Sequence, residues 1–268
     1  MKKINCAYVD PGGNPTVLVS DRIPRNKQPK LAKEIIKRIP SCEQVGFIEP
    51  ANNSKALCRL QMMGGEFCGN AARALAVFLA YSKNAGLSFN FESSGSNNLL
   101  TASVKLNING DAVFSKFKTS LPYSVEKITL RLDRRKVNCK IVIIKGISLI
   151  VIPGRYYANN VDFLSCFRKL YQDKKVTSEA AGFVFYKKLA NSKYKIVPVI
   201  YVRVLDSMVT ETSCASGSIA LALCLKKADL IVVQPSSYSL KVAVKGKTVE
   251  VGGKVKEIKF DKFNWENL

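Results

Sequence analysis

Apolar and polar residues alternate with a period of two through most of the chain, which predicts short, half-buried strands. Strands are expected over 4–9 and 16–19, joined by a turn at Pro11-Gly12-Gly13-Asn14-Pro15, where glycine and asparagine allow unusual backbone angles. Lys30 to Arg38 carries an amphipathic helical pattern. Strands at 44–48 and 57–62 flank an Asn52-Asn53-Ser54 turn, and strands at 87–91 and 101–108 lead to a turn at Asn109-Gly110-Asp111. After Leu121-Pro122, read as a crossing between halves, the plan repeats. Strands are expected at 140–144 and 148–152, a helix at 161–171, strands at 182–186 and 197–204, and a strand-like tail from 238 to 260.

Two stretches break the alternation. The first runs Glu66-Phe67-Cys68-Gly69-Asn70-Ala71-Ala72-Arg73-Ala74-Leu75-Ala76-Val77-Phe78-Leu79, the second Glu211-Thr212-Ser213-Cys214-Ala215-Ser216-Gly217-Ser218-Ile219-Ala220-Leu221-Ala222-Leu223-Cys224-Leu225. With Cys68 laid on Cys214, residues Ala74, Leu75, Ala76 and Leu79 fall on Ala220, Leu221, Ala222 and Leu225. Each copy reads as a cysteine, a short turn of small residues, then a helix apolar all round and therefore buried, ending near Ser82 and Lys227. A cysteine at a helix N-terminus faces free N–H groups and the positive end of the dipole, which lower a thiol's pKa. The plain alternative is a pair of inert core cysteines at similar helix starts. Their repetition points instead to a duplicated half-domain facing itself across a site. Many short strands with one buried helix per half predict an α+β fold of two similar barrel-like halves, 1–120 with the first cysteine motif and 121–268 with the second.

Composition narrows the class. At 268 residues, each half is large enough to bury a core. Met1-Lys2-Lys3-Ile4-Asn5-Cys6 has no signal-peptide apolar core, and no apolar run approaches the roughly 18 residues of a spanning helix, so a soluble cytoplasmic protein is expected. The eight cysteines show no Cys-x-x-Cys and the chain has no histidine, so no metal site is expected, and a cytosolic chain argues against a disulfide framework. The formal charge of +22 raises nucleic-acid or membrane-surface binding. Lysines alternating with apolar residues in 241–245 and 254–260 look like the wet face of strands, and Arg131-Leu132-Asp133-Arg134-Arg135-Lys136 lacks interleaved aromatics. Charge supports association but reads no sequence.

The residues then carry a resemblance. Glu66-Phe67-Cys68-Gly69-Asn70-Ala71 resembles the Cys-Gly-Asn-Gly/Ala motif of the diaminopimelate epimerase superfamily of cofactor-independent racemases and epimerases. Ser213-Cys214-Ala215-Ser216-Gly217-Ser218 resembles its second cysteine motif, and Gly13-Asn14 its opening Gly-Asn turn. Within that superfamily, Cys42-Glu43-Gln44-Val45-Gly46-Phe47-Ile48-Glu49 together with Gly65-Glu66-Phe67-Cys68 and Glu211-Thr212-Ser213-Cys214 is most similar to the histidine racemases of opine-metallophore biosynthesis. The likeness spans Gly12 to about Gln234-Pro235. It implies two pseudo-symmetric barrel-like halves, each wrapped around a central helix, with a cleft between them and the extreme C-terminus packing on the first half. There are departures. Ala215 stands where the family usually has glycine, and Ser236-Ser237 where relatives often carry two glycines. The Asn-Pro-His expected within 146–151 and the Glu-Arg-Gly before the second cysteine are absent, which argues against a substrate with a second amino-acid end.

Racemisation removes an α-proton from one face of a carbon and returns one to the other. Two cysteines from mirrored halves, one thiolate and one thiol, meet that need. Cys68 and Cys214 are the expected acid–base pair. Backbone N–H groups at Gly69-Asn70 and at Ala215-Ser216-Gly217 would hold the charge that develops on the substrate carboxylate. The resemblance implies that Glu211 binds the substrate ammonium and that Asn14 and Gln44 line the pocket; Glu66 is expected to cap or brace its turn. No cofactor is expected, because no pyridoxal signature is present. The expected partner is a small amino-acid substrate, with neither membrane nor nucleic acid as the main partner, and a homodimer stays compatible. Histidine is the expected substrate. The rivals are racemisation or epimerisation of another amino acid such as diaminopimelate, and a basic nucleic-acid-binding protein on the same fold.

Overall fold

The structure is a computed structural model that describes residues 2–81, 86–132, 135–157 and 161–265. The helix end expected at Ser82 and the middle of the basic cluster, Asp133 and Arg134, lie outside the described residues. The chain opens with β1 (Lys2–Asp10), β2 (Thr16–Val19), α1 (Gln28–Arg38), β3 (Gln44–Glu49), β4 (Arg59–Met62), α2 (Gly69–Ala80), β5 (Ser88–Ser93), β6 (Leu100–Leu106) and β7 (Ala112–Ser120). It continues through β8 (Tyr123–Leu132), β9 (Arg135–Ile144), β10 (Ile147–Pro153), α3 (Phe163–Gln172), β11 (Ala180–Ala190), β12 (Lys193–Val202), β13 (Ser207–Thr210) and α4 (Ala215–Leu225). It closes with β14 (Asp229–Val233), β15 (Ser239–Lys245), β16 (Thr248–Lys254) and β17 (Glu257–Trp265). The architecture is a sheet-rich α+β fold.

The strand pairings form one series twice over. The first runs β17-β1-β2-β3-β4-β5-β6-β7, with β2–β3 and β4–β5 parallel and the other neighbours antiparallel. The second runs β8-β9-β10-β11-β12-β14-β15-β16, with β10–β11 and β12–β14 parallel at the matching places. The pairing of β16 with β7 ties the two series together, and the pairing of β17 with β1 brings a strand from the far end of the sequence into the first.

Helix α2 touches β1, β2, β4, β5, β6 and β7, and α4 touches β9, β10, β11, β14, β15 and β16. Both are buried nearly all round, as their sequences require. The two amphipathic helices lie elsewhere: α1 packs on β3, and α3 stacks Phe167 on Phe183 with ring centres 4.4 Å apart. Strand β10 shows how packing shapes the pattern. Its Leu149 and Val151 face the cluster around α4, while Ile150 and Ile152 face the cluster under α3. Both faces are covered, so the strand reads as an unbroken apolar run.

Strands β7, β8, β13 and β14 have no counterpart among the expected elements. In β8 the residues Tyr123 to Lys127 are all exposed, so burial imposes no apolar face on that stretch. No helix among the described residues is long and apolar enough to cross a membrane.

Candidate active site

The two cysteine motifs take up the same local geometry. Cys68 is the N-cap of α2 at φ −125°, ψ 110°, and Cys214 is the N-cap of α4 at φ −138°, ψ 104°. Each sulfur accepts from the backbone N–H three residues on, Ala71 at 3.4 Å and Gly217 at 3.2 Å. Each cysteine carbonyl accepts from the fourth, Ala72 at 3.1 Å and Ser218 at 3.0 Å. A thiol thus does what serine or aspartate usually does at an N-cap.

The two helix starts meet. A Cβ added to Gly69 would stand 2.8 Å from the Cβ of Ala215, so one of the pair has to be glycine. Ala215 takes up the room that Gly69 leaves. Buried polar side chains lock the junction. Arg73 of α2, with no exposed surface, donates to the carbonyls of Ser115 at 3.1 Å and Lys254 at 3.0 Å and to Asn70 Oδ1 at 3.3 Å. Burial lowers its pKa to about 9, against a pull upward from Asp10. Asn70 Nδ2 in turn donates to Ser213 Oγ at 3.2 Å, so its amide bridges the two motifs. Behind Cys214, Gln234 Oε1 accepts from the cysteine N–H at 2.8 Å, and its Nε2 donates to Ser218 Oγ and the Val232 carbonyl.

Gln44, at the start of β3, sits over the first thiol. Thr16 Oγ1 donates to the Asn14 carbonyl and accepts from Gln44 Nε2 at 2.8 Å, which turns Gln44 Oε1 toward Cys68 Sγ, 3.0 Å away. An amide oxygen accepts only, so this contact requires the proton on Cys68. Cys214 likewise has an acceptor, the Glu211 carboxylate, beside the Gly217 N–H and the Ser216 hydroxyl at 3.5 Å, which can turn its proton either way. Asn14 occupies the left-handed region at φ 58°, a conformation asparagine tolerates, and its buried amide makes no close hydrogen bond among the described residues but lies beside the Glu211 carboxylate. Its backbone N–H donates to Thr212 Oγ1 at 2.7 Å, and Thr212 N–H and Oγ1 both bond the Glu43 carboxylate, which brings the opening turn, β3 and the second motif together.

A small, partly open cavity of about 30 Å³ lies here. Gln44, Cys68, Glu211 and Ser216 line it with Glu43 and Glu66, and Met63, Ile147, Ile200, Val202 and Val209 form an apolar wall. Three of the lining residues are glutamates and none is lysine or arginine. Burial raises the Glu66 carboxyl to about 7, partly offset by the backbone N–H groups of Glu66 and Gly64. Burial raises Glu211 to about 8; the Cys214 thiol beside it pulls the other way, as does Asn14, while the charge on Glu43 adds to the rise.

The expected lowering of the cysteine pKa is overturned by the surroundings. Burial pushes the Cys68 thiol up to about 12, the Glu211 charge adds to it, and the helical N–H of Ala71 offsets only part. Cys214 is raised well above the ordinary range by burial and then by Glu211. Helix N–H groups are present as the motifs imply, yet desolvation and a neighbouring carboxylate outweigh them.

Among the residues singled out in the sequence, Cys68, Gln44, Glu211 and Ser216 line one cavity, Cys214 and Asn14 adjoin it, and Gly69 and Ala215 form the contact between helix starts. Asn70 has both amide ends occupied, so its backbone N–H is what it has left for a ligand. Sequence reasoning missed Arg73, Glu43, Thr212 and Gln234. A single arginine within an otherwise apolar helix was the one signal available, since its charge has to be met inside the core. All eight cysteines are free thiols, and among the described residues no group of three or more histidine, cysteine or acidic side chains is placed to hold a metal ion.

Known proteins share both sequence and fold with this chain. A probable proline racemase from Agrobacterium radiobacter K84 superposes with a TM-score of 0.69 at 12% identity, covering 98% of this chain and 93% of that one. A phenazine biosynthesis PhzF-family protein from Enterococcus faecalis does so with a TM-score of 0.62 at 16% identity, covering 97% and 99%. These likenesses concern the fold. In sequence, a histidine racemase from Fusobacterium nucleatum is 32% identical over 244 residues, 86% of each chain. Residues 3–264 match the family described as the histidine racemase CntK N-terminal domain. With that match over nearly its whole length and the two cysteine-capped helix starts side by side, the chain belongs to the histidine racemase family.

Proposed function

We propose that this chain is an isomerase that interconverts L- and D-histidine through the thiols of Cys68 and Cys214. The observation that carries this reading is the repeated cysteine N-cap, with its two helix starts in contact at Gly69 and Ala215 beside one cavity. Amino-acid racemisation needs an acid and a base on opposite faces of one carbon, and two copies of one motif supply chemically equal groups. In each turnover the thiolate takes the α-proton, the opposite thiol gives one, and the pair ends with roles exchanged.

Base formation is the difficult step in so buried a site. From about 12, ionising Cys68 at pH 7 costs roughly 7 kcal/mol. A cation about 4 Å from a thiolate returns roughly 4 kcal/mol at an effective dielectric of 20. The substrate's own ammonium, held by Glu211, therefore offsets much of the cost and also cancels the carboxylate charge that raises both cysteines. Activation of the base is tied to binding. Because Gln44 Oε1 accepts from Cys68 and the Glu211 carboxylate accepts from Cys214, both thiols keep their protons until the substrate ammonium engages Glu211. The N–H groups at Gly69-Asn70 and Ala215-Ser216-Gly217 suit the substrate carboxylate as charge spreads onto it.

The two matching pairing series support two barrel-like halves, each about its own helix, divided near Leu121-Pro122, with β17 crossing back to the first. The test is α-proton exchange of L-histidine in D2O followed by proton NMR, with D-histidine confirmed by chiral separation. Cys68→Ala and Cys214→Ala are each expected to lose racemisation by at least a thousandfold. Full two-way activity in either variant would sink the assignment. Exchange confined to another amino acid would keep the thiol chemistry and replace the substrate.

A further inference from the structure

The cavity holds three glutamates, and they are not equivalent. Glu43 is committed, with one carboxylate oxygen accepting from Thr212 N–H at 2.9 Å and the other from Thr212 Oγ1. Glu211 stands beside Cys214 and has one open oxygen, Oε2, which the proposed mechanism gives to the substrate ammonium. Glu66 is 6% exposed, and its Oε2 has no hydrogen-bond partner among the described residues. Backbone N–H groups of Glu66 and Gly64 act on the carboxylate. One oxygen nevertheless remains unpartnered on the cavity wall. Leaving a buried acceptor unpaired is costly, and such a group in a native protein calls for an explanation.

Its surroundings say what would pair with it. Met63, Ile147, Ile200 and Val202 supply apolar contact around Glu66, and no basic side chain lines the cavity. An occupant needs apolar faces and a polar N–H edge, which describes a heteroaromatic ring. It also needs a second donor group for Glu211. Two unpartnered carboxylate oxygens on residues that line one cavity call for an amino acid with donors at both ends, and the space, about 30 Å³ as it stands, has to widen to admit it.

We propose that Glu66 determines side-chain specificity by accepting a hydrogen bond from the ring N–H of the bound amino acid. This rests on the racemase reading of the same site and adds the subsite that reading leaves unassigned. The charged groups acting on Glu66 and its neighbours are Glu179, Glu211 and Glu43, all acidic, so a donor from the substrate meets no competing cation there. The helix-start N–H groups lie with the cysteines, which leaves Glu66 free of the reaction itself.

The test compares wild type, Glu66→Gln and Glu66→Leu for α-proton exchange in D2O on L-histidine and on L-leucine. Removing a hydrogen bond to a charged acceptor is expected to lower kcat/KM for histidine roughly ten- to hundredfold, mainly through KM. The histidine-to-leucine ratio should fall by at least tenfold in Glu66→Leu. Glu66→Gln keeps the shape of the side chain, so it decides the matter if Glu66→Leu does not fold. Unchanged histidine kinetics in both variants would overturn the role of Glu66 and leave the racemase reading standing. An equal loss on both substrates would also overturn it, since that marks a general structural role. A wild type faster on leucine than on histidine removes the subsite alone. Silence of the wild type on both amino acids removes the subsite together with histidine as substrate.

Discussion

At the scale of single residues, the site works against its own ionisation. The cysteines sit where helix N–H groups favour a thiolate, and burial opposes that thiolate more strongly. Both thiols were legible in the sequence, because a repeated cysteine before an apolar helix is a local pattern. Their raised pKa was not, since it depends on Glu211 and on desolvation created only by folding. The carboxylates carry a stability consequence whose sign follows from their shifts. Glu66 is raised from the ordinary carboxylate range to about 7, so the folded chain keeps a proton there that the unfolded chain has released. That contribution is complete below about pH 4.5 and is lost as pH rises through about 7. Glu66→Gln is therefore expected to raise Tm at pH 8 by on the order of a few degrees and to leave it nearly unchanged at pH 5, as thermal unfolding by circular dichroism would measure. The chain has no histidine to add its own titration in that window.

At the scale of elements, function depends on how closely two helix starts approach. Gly69 meets Ala215 on one side and the Phe117 ring on the other, each within 3 Å of where a Cβ would stand. Gly69→Ala is expected to destabilise the fold by about 1–3 kcal/mol and to cut racemase activity at least tenfold by prising the thiols' helices apart. Combining it with Ala215→Gly should recover part of both losses, and Ala215→Gly alone should be nearly neutral; denaturant unfolding and exchange rates read the two effects. The elements themselves were largely legible wherever burial imposed a period. Helices α1 to α4 follow from amphipathic or wholly apolar runs, and β10 from a run covered on both faces. Strand β8 escaped because its start is exposed, and β14 because Asp229–Val233 follows a helix with no turn signature between them. The bracing of Asn70 by Arg73 was illegible for another reason: its partners, Ser115, Ser213 and Lys254, are distant in sequence.

At the scale of the whole molecule, the site and the surface have opposite signs. A chain of formal charge +22 encloses a cavity lined by three glutamates and no base. The positive excess therefore lies outside the cavity, and the local field within favours cations. Repetition of the strand series was anticipated from the duplicated cysteine motif, and packing of the C-terminus on the first half from the resemblance, but the strand-by-strand register was not. The register of β1 on β17, from Lys2 opposite Trp265 to Asp10 opposite Glu257, joins segments that no local pattern connects. Removing residues 257–265 is expected to leave β1 with β2 alone, and with it an unfolded or aggregating chain, as size-exclusion chromatography and circular dichroism would report. The corresponding neighbour in the second series, β8, is followed by β9 almost at once in the sequence, whereas β1 waits for a strand made some 255 residues later. At ribosomal speeds of roughly 5–20 residues per second, the nascent chain carries that open edge for about 10–50 seconds. Until then the opening turn with Asn14, which follows directly from β1, stays anchored on one side only. Assembly of the site is thus a late event in biosynthesis, and the interval is one in which a chaperone has something to hold.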